Sequence, residues 1–483
     1  MPYSLKTSKT GLESAESFRR RHKTIKMKGS SFEYSGIPLD VWGDGNVSVS
    51  NSEHHCLITG STGFGKTRRL MYEGIVMSAR AGNSLVILDP KGEQYRYTSE
   101  AVRACGHRVY VLNLRDPKNG CQYNPLTLIR DNWINGCKSH AITLLHDVAR
   151  IVTEKLSGDR DAYWQLASID AIIGFGLLLQ EHDKPLTFES IHSQFNSWMK
   201  HRNLWDDLRS RFDTKAESWK HLSTIINLTA DTTTSCVTST FNSAIAPFVD
   251  NEDVRKMLSV SSFFLTDTGE EKTAIYLIIP DETTNLYVIA SMFVDQLYSV
   301  LIRLADSSES GTLPVHVDFY LDEFGTIYGL DWSNKLAAAR SRGILFFLAV
   351  QDLAQLTEKY GENAAHVILS NCRTWVYLGG RDTRIMQTLS WLSGKRDDGE
   401  PVLSINELNA IGTGSVIVLD GQKAYMGHLP DWEEWHIEGN AKLQMADTYQ
   451  YSNPEIPSLL QLLDFKEPEA EKKQESGLES YEF

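Results

Sequence analysis

The sequence predicts an α/β fold with a mostly parallel central sheet, and three observations predict it. Short, wholly apolar runs bounded by turn residues alternate with helix-compatible stretches, the pattern left by strands that are buried on both faces. Directly after one such run, Cys56-Leu57-Ile58, the segment Gly60-Ser61-Thr62-Gly63-Phe64-Gly65-Lys66-Thr67 satisfies G-x-x-x-x-G-K-[ST] in full. Far downstream, Val317-Asp318-Phe319-Tyr320-Leu321 ends in the acidic pair Asp322-Glu323.

The first loop has a plain physical reading. A strand stops, glycines turn the backbone, and a helix starts with its free N–H groups aimed at phosphate. Gly60, Gly63 and Gly65 supply the turn, with Ser61, Thr62 and Phe64 between them. Lys66 is placed to reach the β and γ phosphates, and the Thr67 hydroxyl to join a magnesium shell. In the acidic pair, Asp322 takes the metal role and Glu323 that of the base accepting a proton from water. ATP and Mg2+ are therefore expected, in a P-loop NTPase core. Asp318 alternates into the sheet and is the weaker acid candidate.

Further strands are predicted at Ser84–Leu88, Val109–Leu112, Thr273–Ile279, Gly343–Val350, Thr374–Leu378 and Ser415–Leu419. Asp89 and Lys91 follow the first of these, and polar groups at such strand ends line the ligand crevice of open α/β sheets, so Asp89 joins the nucleotide-binding candidates. Gln351 ends the strand after the acidic pair, from where an amide can sense the γ phosphate. Arg340 and Arg342 close the preceding helix; one reading has an arginine reach a neighbouring subunit's nucleotide, the other has both complement the helix dipole.

Between residues 138 and 265 helical periodicity dominates and strand-like runs are scarce, with Trp164, Phe175, Trp198, Trp205 and Trp219 read as core. The predicted organisation is a basic, disordered arm over 1–36, a motor domain over 37–137 and 266–440, an inserted all-α domain over 138–265 and an acidic tail over 441–483. Two readings of the arm stay open: contact with anionic lipid or DNA, and simple solvation.

The formal charge of −14 excludes a protein that coats nucleic acid over its whole surface, so any DNA contact must be local. Six scattered cysteines with no C-x-x-C pair support neither a zinc site nor a disulfide framework. The apolar stretch Ala171–Leu179, read as the most apolar of the sequence, is too short to span a bilayer, and the start carries no leader-like apolar region, so a cytoplasmic protein without an intrinsic transmembrane segment is expected.

Several motifs in order resemble the TraG/TraD-like type IV secretion coupling proteins, relatives of the FtsK/HerA DNA pumps. They are Gly60–Thr67, Leu88–Glu93, Tyr123-Asn124-Pro125-Leu126, Leu321–Gly325, Arg340, Gln351, Ala354-Gln355-Leu356, Tyr360-Gly361, Asn371-Cys372 and Leu378-Gly379-Gly380, all within residues 54–430. The resemblance implies a RecA-like motor domain with an inserted all-α domain, working as a homo-hexamer. It implies coupling of ATP hydrolysis to movement of single-stranded DNA with its attached relaxase toward the components of a secretion channel. It also places Arg340 at the family's trans-acting arginine and Gln351 at its phosphate-sensing glutamine.

Members of that family usually begin with transmembrane helices, and nothing before Ile37 here could span a bilayer. A separate membrane-anchoring subunit recruiting the chain peripherally to the inner face of the cell membrane is the expectation this raises. Two alternatives keep the same sequence features: a secretion ATPase for protein effectors, and a docking adaptor whose nucleotide site switches without turnover. A GTP switch is disfavoured because no N-K-x-D element is present.

Overall fold

The computed structural model describes residues 11–50, 53–154, 162–228, 230–280, 282, 285–327, 331–435 and 453–465. The chain forms two compact units, one of Met1–Pro125 and Asp250–Asn453, the other of Leu126–Val249 and Pro454–Phe483.

In the first unit, β1 (Lys23–Lys26), β2 (Pro38–Trp42) and β3 (Asn46–Val49) make a small antiparallel sheet in the order β1-β3-β2. The main sheet contains β4 (His55–Thr59), β5 (Ser84–Asp89), β6 (Arg108–Asn113), β7 (Thr273–Ile278), β8 (Val317–Leu321), β9 (Ile344–Val350), β10 (Cys372–Tyr377), β11 (Ser415–Asp420) and β12 (Lys423–His428). Their order is β12-β11-β10-β4-β9-β8-β5-β7-β6. From β10 to β6 all neighbours run parallel, and β11 and β12 add an antiparallel hairpin.

Every residue of β4, β5, β7, β8 and β9 is buried, which is why these segments read as unbroken apolar runs in place of an alternating pattern. The helix Tyr72–Ala81 packs Ile75 and Ala79 into a core with Ile58, Leu85, Tyr320 and Phe347. The helix Tyr287–Ser307 is long and apolar enough to cross a membrane by length and composition, and 72% of its most apolar window is buried inside the protein. Burial identifies Tyr287–Ser307 as a core helix of the α/β unit.

The arm expected to be disordered is folded from residue 11 onward; residues 1–10 lie outside the described residues. Ser14 caps the helix Ala15–Arg21, Phe18 is fully buried, and its ring stacks on Tyr425 with centroids 3.9 Å apart. Arg19 pairs with Asp40 at 3.0 Å, and Arg21 bridges Glu13 and Asp420 at 2.6 Å each. Arg19, Arg20 and Arg21, three of the basic residues that suggested a solvated arm, therefore find carboxylates within their own unit, and Lys23 lies over the Tyr34 ring.

In the second unit the described residues form helices, from Thr127–Ile134 through Asp231–Val249, and no strand. Its boundaries differ from the expected 138–265. The chain enters it at Leu126, and residues 250–265 belong to the first unit, where Tyr123 N–H donates to Met257 O at 2.9 Å and Gln122 Nε2 to Lys256 O at 2.7 Å. Phe175 and Trp198 are buried, and Trp198 lies parallel to Trp205 at 5.1 Å, so these rings serve as core. Of the expected tail, 441–452 and 466–483 lie outside the described residues, while 453–465 carries the short helix Leu459–Leu462, and Pro457 O accepts from Gln194 Nε2 at 2.7 Å.

Phe18→Ala is expected to destabilise the protein by about 3–5 kcal/mol, because it empties a fully buried aromatic site, whereas Arg20→Ala, which breaks only an exposed pair with Glu16, is expected to cost under about 0.5 kcal/mol. Urea unfolding of the two variants checks this. Equal, negligible losses would contradict the anchoring of the amino-terminal helix.

Candidate functional site

Parallel register decides where the chemistry gathers. Thr59 sits opposite Val350, Leu321 opposite Leu348, and Leu88 opposite Leu321. The chain leaves β4, β9, β8 and β5 at one edge of the sheet, where Gly60, Gln351 and Asp322 follow their strands and Asp89 ends β5. Gln351, Asp322 and Asp89, together with Thr62, Lys66, Thr67, Lys91, Glu93, Tyr287, Glu323 and Thr326, surround a cleft of about 550 Å³.

Gly63 and Gly65 hold φ of 89° and 90°, backbone that a Cβ would strain, and the loop then enters a wide turn, Thr67–Met71, before the regular helix Tyr72–Ala81. The end of β10 braces this loop from outside. Ser61 N–H donates to Gly379 O at 3.0 Å, and a Cβ on Gly379 would stand 2.6 Å from the Phe64 ring, one on Gly380 2.5 Å from Ser61 Oγ. Arg68 and Arg69 of the wide turn are clamped by Asp431 at 2.5 and 3.3 Å, past the end of β12.

Lys66 is buried and donates to Gly60 O at 2.6 Å. Burial pulls its amine below the usual lysine range, against the opposing pull of Asp322 and Glu323. Thr67 Oγ1 donates to Asp322 Oδ2 at 2.9 Å across 255 positions of sequence. Gln94 Nε2 approaches the same oxygen at 3.4 Å and donates to Leu88 O at 3.0 Å. Burial, with Glu323 next, pushes the Asp322 carboxyl up to about 6. Glu323 has φ 53°, the left-handed region, and its carboxylate accepts from Gln351 Nε2; Gln351 Oε1 accepts from Thr62 Oγ1 at 3.0 Å.

Asp89 lines the cleft but is committed to structure. Its Oδ2 accepts from Tyr95 N at 2.8 Å, anchoring the first turn of the helix Glu93–Ala104, and burial pushes the carboxyl up to about 7. Asp318 is fully buried beneath the sheet edge and accepts from Asn83 Nδ2 at 3.0 Å, away from the cleft.

Arg340 is not in this cleft. It stands before the amino end of β9, exposed, with Nη1 3.2 Å from His54 Nδ1 ahead of β4. Seven residues of β9 separate it from the Gln351 edge, a span of roughly 23 Å at strand rise. The same chain's cleft is thus beyond its reach. Arg342 turns aside to Asp306 at 2.7 Å.

Sequence reasoning missed Gln94, Tyr287, Thr326 and Arg68. Gln94 lies within a helix and carries no motif; only the fold brings it to Asp322. Arg68 adjoins the loop motif, which says nothing about side chains beyond its last position.

Asp89→Asn keeps an oxygen to accept from Tyr95 and removes the titration. Well below pH 3.8, the ordinary value, the wild-type carboxyl is protonated folded and unfolded alike. As pH rises toward about 7 the unfolded chain gives up the proton first, so folding stability falls, and above that the loss is constant. The variant is therefore expected to gain stability over wild type on the order of 4 kcal/mol at pH 8 and under about 1 kcal/mol at pH 4, read from denaturant titrations at both pH values. A gain that does not grow with pH would contradict this placement of Asp89.

Residues 6–396 match the family model described as "Type IV secretory system Conjugative DNA transfer". Protein VirD4 of Rhizobium radiobacter is 24% identical over 379 residues, 74% of this chain and 50% of that protein, so the chain spans about half the length of this curated relative. The bacterial conjugative coupling protein TrwBdeltaN70, in its unbound monoclinic form, superposes with a TM-score of 0.60 at 16% identity, covering 87% of this chain and 92% of that one. TrwB in complex with ADP and Mg2+ gives 0.61 at 16% identity, over 90% and 96%. VirB4 of Thermoanaerobacter pseudethanolicus gives 0.52 at 12% identity, over 84% and 100%. The structural likenesses establish the α/β fold, and the family match runs over most of the sequence: the chain belongs to the type IV secretory system conjugative DNA transfer family.

Proposed function

We propose that this chain is an ATP-driven coupling protein that recruits relaxase-bound single-stranded DNA and translocates it to a type IV secretion channel during conjugation. The observation that carries the reading is the Thr67 Oγ1 to Asp322 Oδ2 hydrogen bond at 2.9 Å, because it joins the phosphate-gripping loop to the acidic pair in one cleft. Family membership supports the transfer role. TrwB, solved with the ATP analogue ADPNP and with ADP and Mg2+, supports ATP and Mg2+ as what the cleft takes.

In this reading the N–H groups of Gly60–Thr67 and the Lys66 amine hold the β and γ phosphates, Lys66 exchanging Gly60 O for phosphate oxygen. The Thr67 hydroxyl and the Asp322 carboxylate would hold Mg2+, which when bound would neutralise charge on the phosphate oxygens. The donor set fits that ion: two hard oxygens already adjacent, and, among the described residues, no cluster of three or more histidine, cysteine or acidic ligands of the kind other metals favour. Glu323 takes the proton of the water that attacks the γ phosphorus while the bond to the bridging oxygen breaks. Gln351 senses the γ phosphate.

Arg340 acts on the nucleotide of a neighbouring subunit in a homo-hexamer, a reading supported by its exposure at the end of the sheet away from its own chain's cleft. A separate membrane subunit would hold the ring at the inner face of the cell membrane, next to the channel components.

ATP turnover is expected to rise with protein concentration and with added single-stranded DNA, and Glu323→Gln to lower kcat by about 10²–10⁴. Lys66→Ala and Arg340→Ala subunits, each inactive alone, are expected to recover part of the activity when mixed. Turnover indifferent to DNA would move the assignment to a secretion ATPase for protein effectors, and failure of the mixed subunits to recover would remove Arg340 from catalysis across the interface.

A further inference from the structure

Glu323 is held in a way that opposes its work as a base. Its Oε1 accepts from Gln351 Nε2, and its own N–H turns back onto Asp322 Oδ1 at 3.1 Å. A carboxylate engaged with an amide donor has one oxygen fewer for water and is a poorer proton acceptor. A glutamine engaged with that carboxylate has one N–H fewer for phosphate. Each of the two groups thus occupies the partner that hydrolysis requires to be released.

Glu323 and Thr62 grip opposite ends of the amide. The carboxylate can only accept and so takes Nε2, while the Thr62 hydroxyl donates to Gln351 Oε1 at 3.0 Å and braces the side chain in that orientation. The backbone adds to the bias: φ 53° at Glu323 is a conformation that a residue with a Cβ adopts only where its surroundings impose it. Thr62 sits exposed on the loop and lines the cleft, so the amide it braces stands where an arriving γ phosphate would compete with Glu323 for Nε2.

We propose that Thr62, Gln351 and Glu323 form a latch in which Thr62 is the positioning residue, and that engagement of Gln351 by a γ phosphate frees the base. The proposal rests on the nucleotide reading above and goes beyond it by assigning Thr62 a role in discriminating triphosphate from diphosphate. A diphosphate carries no group that must displace the Gln351 to Glu323 bond. Opening the latch therefore costs binding energy for a triphosphate alone.

The test is the ratio of affinities for ADPNP and for ADP, both with Mg2+, in wild type, Thr62→Val, Thr62→Ser, Glu323→Ala and the double variant Thr62→Val with Glu323→Ala. Loss of one orienting hydrogen bond is expected to raise the ratio in favour of ADPNP by about three- to tenfold in Thr62→Val, with Thr62→Ser at the wild-type ratio. In the Glu323→Ala background Thr62→Val is expected to add nothing. An unchanged or lowered ratio in Thr62→Val, or independent, additive effects of the two substitutions, overturns the latch. Turnover of Glu323→Ala separates the two layers: a wild-type rate would sink the base assignment, while the affinity cycle reads the latch by itself.

Discussion

The arrangement depends on one constraint, the shared register of β4, β9, β8 and β5. Side chains alternate along a strand, so a slip of one residue in β8 would carry Asp322 to the opposite face and break its contact with Thr67. Complete burial of these strands fixes the register, because each apolar side chain has a matched place against helices on either face. The cleft is then simply the edge at which four chains leave the sheet together. Around it the hairpin of β11 and β12 and the Gly379-Gly380 turn hold the loop from outside.

The same burial sets the electrostatics. Asp89 and Asp322 are both raised by desolvation, and Lys66 is lowered by it. A site of this kind is uncomfortable by itself and is relieved by added charge of the right sign: phosphate for the amine, a divalent cation for Asp322. Asp89 finds relief locally in the N–H groups at the start of a helix, and so belongs to the scaffold of the cleft. Glu323 and Gln351 find it in each other, which is the basis for reading their contact as a latch.

Much of this was legible in the sequence, for physical reasons. Fully buried parallel strands produce apolar runs, and the glycines of Gly60–Thr67 mark a tight turn between a strand and a helix, so the order of the main elements and the meeting of Lys66, Thr67, Asp322 and Glu323 in one cleft could be expected from residues alone. Other features had no local signal. Phe18 is a lone aromatic among arginines, and its burial is decided by Tyr425, some four hundred positions later. Gln94 reaches Asp322 only because the helix after β5 starts at the cleft. The strand Lys423–His428 is short and polar at both ends, although the Asp420-Gly421 turn before it was a readable hairpin mark. The limits of the all-α segment escaped because residues 250–265 are helical in pattern yet pack against Gln122 and Tyr123.

The most direct measurement of the central claim is a crystal structure of the chain with Mg2+ and ADPNP. Lys66 on the β and γ phosphates, the metal on Thr67 Oγ1 beside Asp322, and Glu323 facing the γ phosphorus are the expected result. A triphosphate bound in another cleft, or a metal held apart from Thr67 and Asp322, would contradict the account.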